Sequence, residues 1–255
     1  MTTNRRDIVA GPVAPTDFAR RLWNSGQDLL AAGRYVAARR ELEAAERQAF
    51  FRRDAALLAG IYLPLLEASR QIRQFCCDGI IAITSNGAME RRLALRELAR
   101  SGGVWLVMEG QRAEKRGVAH QALMAGGAAD VPIESLRLFS HHHQWRITAH
   151  RNSRFGLPVL WTGDSGRIIQ PAQPDNLLAI LPPPGVYRPG DACHAQARET
   201  LLLTFEALAL GWLARQRMAN AGWASLAILR HARNIDPACE RVLMRMMVMA
   251  EALIA

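Results

Sequence analysis

The residues best suited to chemistry fall in four short stretches. Thr84, Ser85, Asn86 and Gly87 spell TSNG ahead of a helix-like run; a hydroxyl, an amide and a glycine at a helix N-terminus suit an anion, because free N–H groups and the helix dipole both favour negative charge. Thr162, Gly163 and Asp164, in TGDSG, offer a second polar turn for a small ligand. His141 opens the run His141-His142-His143, and an imidazole that titrates near neutrality suits general acid–base work. Glu109 and Asp164 are the acids that can complement it, as partners in proton transfer.

None of these stretches completes a known catalytic pattern. TSNG lacks both G-x-G-x-x-G and G-x-x-x-x-G-K-[ST], so it specifies no nucleotide and the cofactor stays unknown. Consecutive histidines point in different directions and no His-Glu-x-x-His is present, so no metal is expected. A G-x-S-x-G elbow is missing too. Cys76 and Cys77 read as small buried packing residues, and with Cys193 and Cys239 as reduced thiols.

For these residues to meet, strands must carry them to one edge. Short apolar runs alternate with helical patterns from residue 79 onwards: GIIAIT, VWLVMEG, SLRLFS, LPVLWTGD and NLLAILPPP read as strands. SNGAMERRLALRELARSGG, QRAEKRGVAHQALMAGG and HHHQWRITAHRNSRFG read as the helices between them. That alternation predicts an α/β module over residues 79–191, a parallel doubly wound sheet of about five strands whose carboxyl ends form one crevice. It resembles the Rossmann-like and flavodoxin-like group in general, without the motifs of one family.

Helical segments flank the module. Residues 1–14 read as a disordered tail, 15–78 as helical hairpins and 192–255 as a second hairpin with a capping helix. Pro64 predicts a kink or break in the third helix. In LWNSGQDLLAAGRYVAARRELEAAE, the residues Gly26, Gly33, Tyr35, Ala38, Leu42 and Ala45 stand at the spacing of a tetratricopeptide repeat, which this segment resembles. In IDPACERVLMRM, Asp236, Pro237, Glu240, Leu243 and Met244 resemble the end of the helical bacterial transcriptional activator domain. That resemblance implies helical hairpins; the winged helix that such regulators place before the domain has no counterpart in residues 1–78.

Composition narrows the function classes. The net charge of +9 invites nucleic acid, yet Lys115 is the only lysine among 32 basic residues, and the arginines are dispersed along amphipathic runs. Nucleic acid is therefore not favoured. No apolar run is long enough to span a bilayer and no secretory signal is apparent, so the expected location is the cytoplasm. The sequence points to a non-enzymatic interaction or regulatory protein. Its helical frame would bind a protein partner or a second copy, and its α/β module a small anionic ligand. An enzyme with its site at the strand ends, and a transcription-linked regulator without a winged helix, are the alternatives.

Overall fold

In a computed structural model, the described residues are 15–84, 88–108, 131–141, 144–149, 177–179, 181, 183–216, 218 and 222–254. Three helices open the fold: α1 (Pro15–Ala31), α2 (Tyr35–Phe51) and α3 (Ala55–Asp78). Both connections between them are Schellman turns. Gly33, at φ +73°, donates to Leu30 O while Arg34 donates to Leu29 O. Arg53 repeats the geometry at φ +57° without being glycine, donating to Phe50 O, while Asp54 N donates to Ala49 O. The Asp54 carboxylate then caps α3 by accepting from Leu57 N at 3.0 Å. The third helix runs unbroken through Pro64.

Close packing of α1 on α2 depends on Gly26, where an added Cβ would lie 2.6 Å from Leu42 Cγ. Leu42, Ala45 and Ala49 form the buried side of α2, and Leu58, Ile61, Leu65 and Ile72 that of α3. A fully buried Leu or Ile of this kind contributes about 1.5–3 kcal/mol.

A small mixed sheet follows, built from β1 (Ile80–Thr84), β2 (Gly103–Met108), β3 (Ile133–His141), β4 (Gln144–Ala149), β5 (Leu177–Ala179) and β6 (Gly185–Tyr187), with α4 (Ala88–Ser101) after β1. The spatial order is β5-β4-β3-β2-β1-β6. Only β1, β2 and β3 are mutually parallel; β4, β5 and β6 each pair antiparallel. The expectation of a parallel doubly wound sheet is therefore wrong, and the described chain is mostly helical. The reversal begins at Gln144, because QWRITA is a strand that folds back on β3, with Phe139 opposite Arg146 and Ser140 opposite Trp145. Its aromatic and β-branched residues at alternate positions fit a pleated surface better than a helix. The strand read in LPVLWTGD and the helix read in QRAEKRGVAHQALMAGG lie outside the described residues.

Three helices close the fold: α5 (Ala192–Ala214), α6 (Trp223–Ile235) and α7 (Glu240–Ala252). They share one core with α1–α3, to which β1 and β2 contribute Ile81, Ile83, Val104 and Leu106. Alternate residues of the same strands, Ile80, Ala82 and Trp105, face the other way and pack with Ala94 and Leu98 of α4. The layers are thus α4, sheet, and a helical frame made from both flanks. Gly103 sets the β1–β2 contact: its φ is +145° and an added Cβ would sit 2.0 Å from Ile80 O.

Two substitutions separate side-chain from backbone clash. Gly26→Ala is expected to cost about 1–3 kcal/mol in urea denaturation, as overpacking against a movable leucine does. Gly103→Ala meets a backbone carbonyl that cannot move aside, so its loss should exceed that of Gly26→Ala. Equal losses would contradict this account.

Candidate functional site

The carboxyl edge of the parallel strands is the place a ligand would be sought. Thr84 ends β1 there, 2% exposed, and its hydroxyl accepts a hydrogen bond from Trp105 Nε1 at 3.0 Å. Beside it is a cavity of about 170 Å³ lined by Ile83, Thr84, Leu93, Pro184, Gly185 and Val186, with no charged group. His141 ends β3 on the same edge, but Thr84 is level with Val107, and Val107 with Arg137. Two strand spacings and four residues of rise therefore place the two backbones roughly 16 Å apart, too far for one reactive centre. Ser85, Asn86, Gly87, Glu109, Thr162, Gly163 and Asp164 lie outside the described residues.

The charged groups gather elsewhere, at the boundary between the sheet and the helical frame. Arg73 of α3 is buried, and its Nε donates to Glu134 Oε2 at 2.5 Å while Nη2 donates to Asp236 Oδ1 at 2.7 Å. Its guanidinium lies 3.5 Å over the Phe205 ring of α5. Arg39 of α2 approaches the other Glu134 oxygen at 3.9 Å. One side chain thus ties together α3, β3, α5 and the turn between α6 and α7. Burial alone would lower the Arg73 pKa, but Glu134 and Asp236 outweigh it and raise it further. For Asp236 burial wins: its pKa is raised, with Arg73 and the Ala238 amide pulling the other way.

The Asp-Pro step near residue 236 has its role here. Asp236 caps the end of α6, and its side chain accepts from Ala238 N at 3.0 Å. Helix α7 begins only at Glu240, with Cys239 as its N-cap, so Pro237 sits in the turn and not in the first helical turn.

A second cluster lies between α2 and α6. Glu46 is fully buried and accepts from Arg230 Nε at 2.6 Å and Arg230 Nη2 at 3.0 Å. Arg233 Nη2 stands 3.6 Å from the same carboxylate. Burial would raise the Glu46 pKa, but Arg233 and Arg230 outweigh burial and hold it below the ordinary 4.5.

These groups suit structure better than catalysis. In both clusters the carboxylates are occupied by guanidiniums, and an arginine does not give up its proton. Burial pushes the Cys77 thiol up to about 12 and the Cys239 thiol to about 11, and raises Cys76 well above its ordinary value, so none is a thiolate at neutral pH. Among the described residues no group of three His, Cys, Asp or Glu is placed to hold a metal. No known protein family matches the chain, no curated protein is significantly similar to it, and no solved structure resembles it.

The sequence reading missed both clusters, although each carries a signal. Glu46 follows Leu42 and Ala45 on a small-residue stripe, and Arg73 falls four residues after Ser69 and four before Cys77, in the buried stripe of α3. A charge inside an apolar helical face demands a buried partner.

Arg73→Leu should destabilise by about 3–5 kcal/mol, since it strands two buried carboxylates. Replacing Glu134 and Asp236 by leucine in the same variant should recover part of that loss, and chemical denaturation of both proteins checks it. Glu46 predicts a pH dependence. A depressed carboxyl pKa stabilises above 4.5 and loses that contribution as pH falls through the folded value. Glu46→Gln should be the less stable protein at neutral pH, and the gap should narrow between about pH 5 and 3. Asp236, raised, works in the opposite sense in both proteins and cancels from the difference.

Proposed function

We propose that the chain is a non-enzymatic interaction or regulatory protein whose helical frame binds a protein partner, with the mixed sheet as its support. The observation that carries this reading is the division of groups between inside and outside. The buried carboxylates described above are met by guanidiniums across element boundaries, while the first three helices hold large apolar side chains in solvent: Phe18, Leu63 and, at 86% exposed, Phe51. Exposed aromatics are the kind of group that anchors protein interfaces. The tetratricopeptide resemblance of residues 22–46 supports the same reading, because such hairpins present binding surfaces. Among the described residues no helix is long and apolar enough to cross a membrane.

The test is a comparison of wild type with Phe51→Ser/Leu63→Ser, both by in-cell cross-linking with mass spectrometry and by thermal denaturation. Exposed substitutions of this kind shift stability by only about 0.5 kcal/mol. The expected result is unchanged melting with at least about tenfold lower recovery of the cross-linked proteins, the factor that 1.4 kcal/mol of lost interface energy gives. Unchanged recovery would refute the reading. So would strong stabilisation of wild type by a nucleotide or phosphorylated metabolite, which would move the function to a small-molecule site.

A further inference from the structure

Among the described residues Arg53 is the non-glycine residue at positive φ. It stands at +57° in the turn between α2 and α3, in the left-handed region where a Cβ costs energy that glycine avoids. The matching turn between α1 and α2 uses Gly33, at φ +73°. Nothing in the hydrogen bonding of the second turn calls for a side chain at this position: Arg53 N donates to Phe50 O as Gly33 N donates to Leu30 O. The Arg53 side chain is exposed and meets no acid among the described residues. An arginine held where glycine would serve the fold at lower cost points to a use outside the fold.

Its neighbours in the chain also face solvent. Phe51 is 86% exposed, and Arg52 is exposed and, like Arg53, meets no acid among the described residues. Asp54, the acid of the turn, is occupied in capping α3 through Leu57 N, so the free charges of the turn are both positive. The start of α1 lies alongside, because Gly26 meets Leu42 and the two helices run antiparallel. It adds the exposed Phe18, Arg20 and Arg21, with Asp17 as the acid of that stretch.

We propose that the α2–α3 turn docks an acidic segment of a partner protein. Carboxylates of that segment take the N–H groups of Arg52 and Arg53, and an apolar residue beside them covers Phe51. The inference rests on the reading of the helical frame as a partner-binding surface and adds the chemistry that the partner brings. Arginine suits the task because its planar fork pairs with a carboxylate through two N–H groups. Phe51 supplies the aromatic anchor on which interface energy concentrates. Two cations in one turn match a short run of carboxylates, whereas a nucleic-acid strand calls for a charged groove that tracks its phosphates.

Arg53→Gly is the decisive variant, because it removes the side chain at a position whose backbone suits glycine. Its melting temperature should equal or exceed that of the wild type. In the full chain, Ala56→p-benzoylphenylalanine places a photo-reactive group at an exposed position beside the turn. Irradiation in cells followed by mass spectrometry then locates the contact on each partner. The expected contacts fall in segments rich in Asp and Glu, and Arg52→Ser/Arg53→Gly lowers their recovery at least about tenfold, the factor that 1.4 kcal/mol gives. A synthetic peptide of such a segment should bind the wild type and lose as much affinity when its glutamates become glutamines. A lower melting temperature for Arg53→Gly overturns the proposal, because the arginine then serves the fold. Recovery unchanged by the arginine variant overturns it too, as do contacts in segments without acids, contacts to RNA or lipid, and no contact at all. If Phe51→Ser/Leu63→Ser loses the partners and Arg52→Ser/Arg53→Gly keeps them, the partner-binding reading stands and the acidic segment falls. If both variants keep them, both fall.

Discussion

One guanidinium serves two carboxylates that the sequence keeps far apart, and the arrangement of layers follows from it. Arg73 projects from the long helix α3 towards the sheet, where Glu134 stands near the start of β3, and towards the α6–α7 turn, where Asp236 closes the other flank. Each of the three groups is buried, so none tolerates the loss of its partners. The sheet edge and both helical flanks must meet at this point or bury a bare charge. Apolar packing supplies most of the favourable free energy, but it is non-directional. The ion cluster supplies direction, fixing which face of α3 meets β3 and how far the last helices slide along it.

The Glu46 cluster repeats that logic one layer away. There, α2 contributes the acid and α6 the bases, so the first hairpin and the last are joined without the sheet. Between the two clusters the apolar core is continuous, running from Ala38 and Leu42 through Ile61 and Leu65 to Leu229 and Met246. The small residues on α2 allow this closeness: with Ala45 and Ala49 at the contact, backbones approach and larger neighbours fill the grooves.

Local signals in the sequence reached most of the described elements but not β4 or β6, and they did not reach the antiparallel pairings. Ile80–Thr84 and Gly103–Met108 are strands where short β-branched and apolar runs fall. Strand direction was not legible, because nothing in GVY or QWRITA states whether its neighbour runs with it or against it. The segment from Gln144 was misread as helix through its polar residues, when the alternation of Trp145, Ile147 and Ala149 with Arg146 and Thr148 was the stronger cue. Of the candidate strand-end residues, Thr84 is committed to Trp105 and His141 lies well beyond it along the edge. The ion clusters escaped for another reason: composition counts charges as solvated faces, and only a helical projection shows Glu46 and Arg73 turned inward.

The span of these pairs bears on how the chain comes into being. Arg73 and Asp236 are 163 residues apart and Glu46 and Arg230 are 184, so both closures are among the most non-local in the molecule. At a synthesis rate of 5–20 residues per second, roughly 8–30 s pass between the making of Arg73 and the making of its second partner. Through that interval Glu46 and Arg73 stand on helix faces meant for burial before Arg230 and Asp236 exist to meet them. The groups that orient the finished core therefore find their partners only once both flanks of the chain have been made.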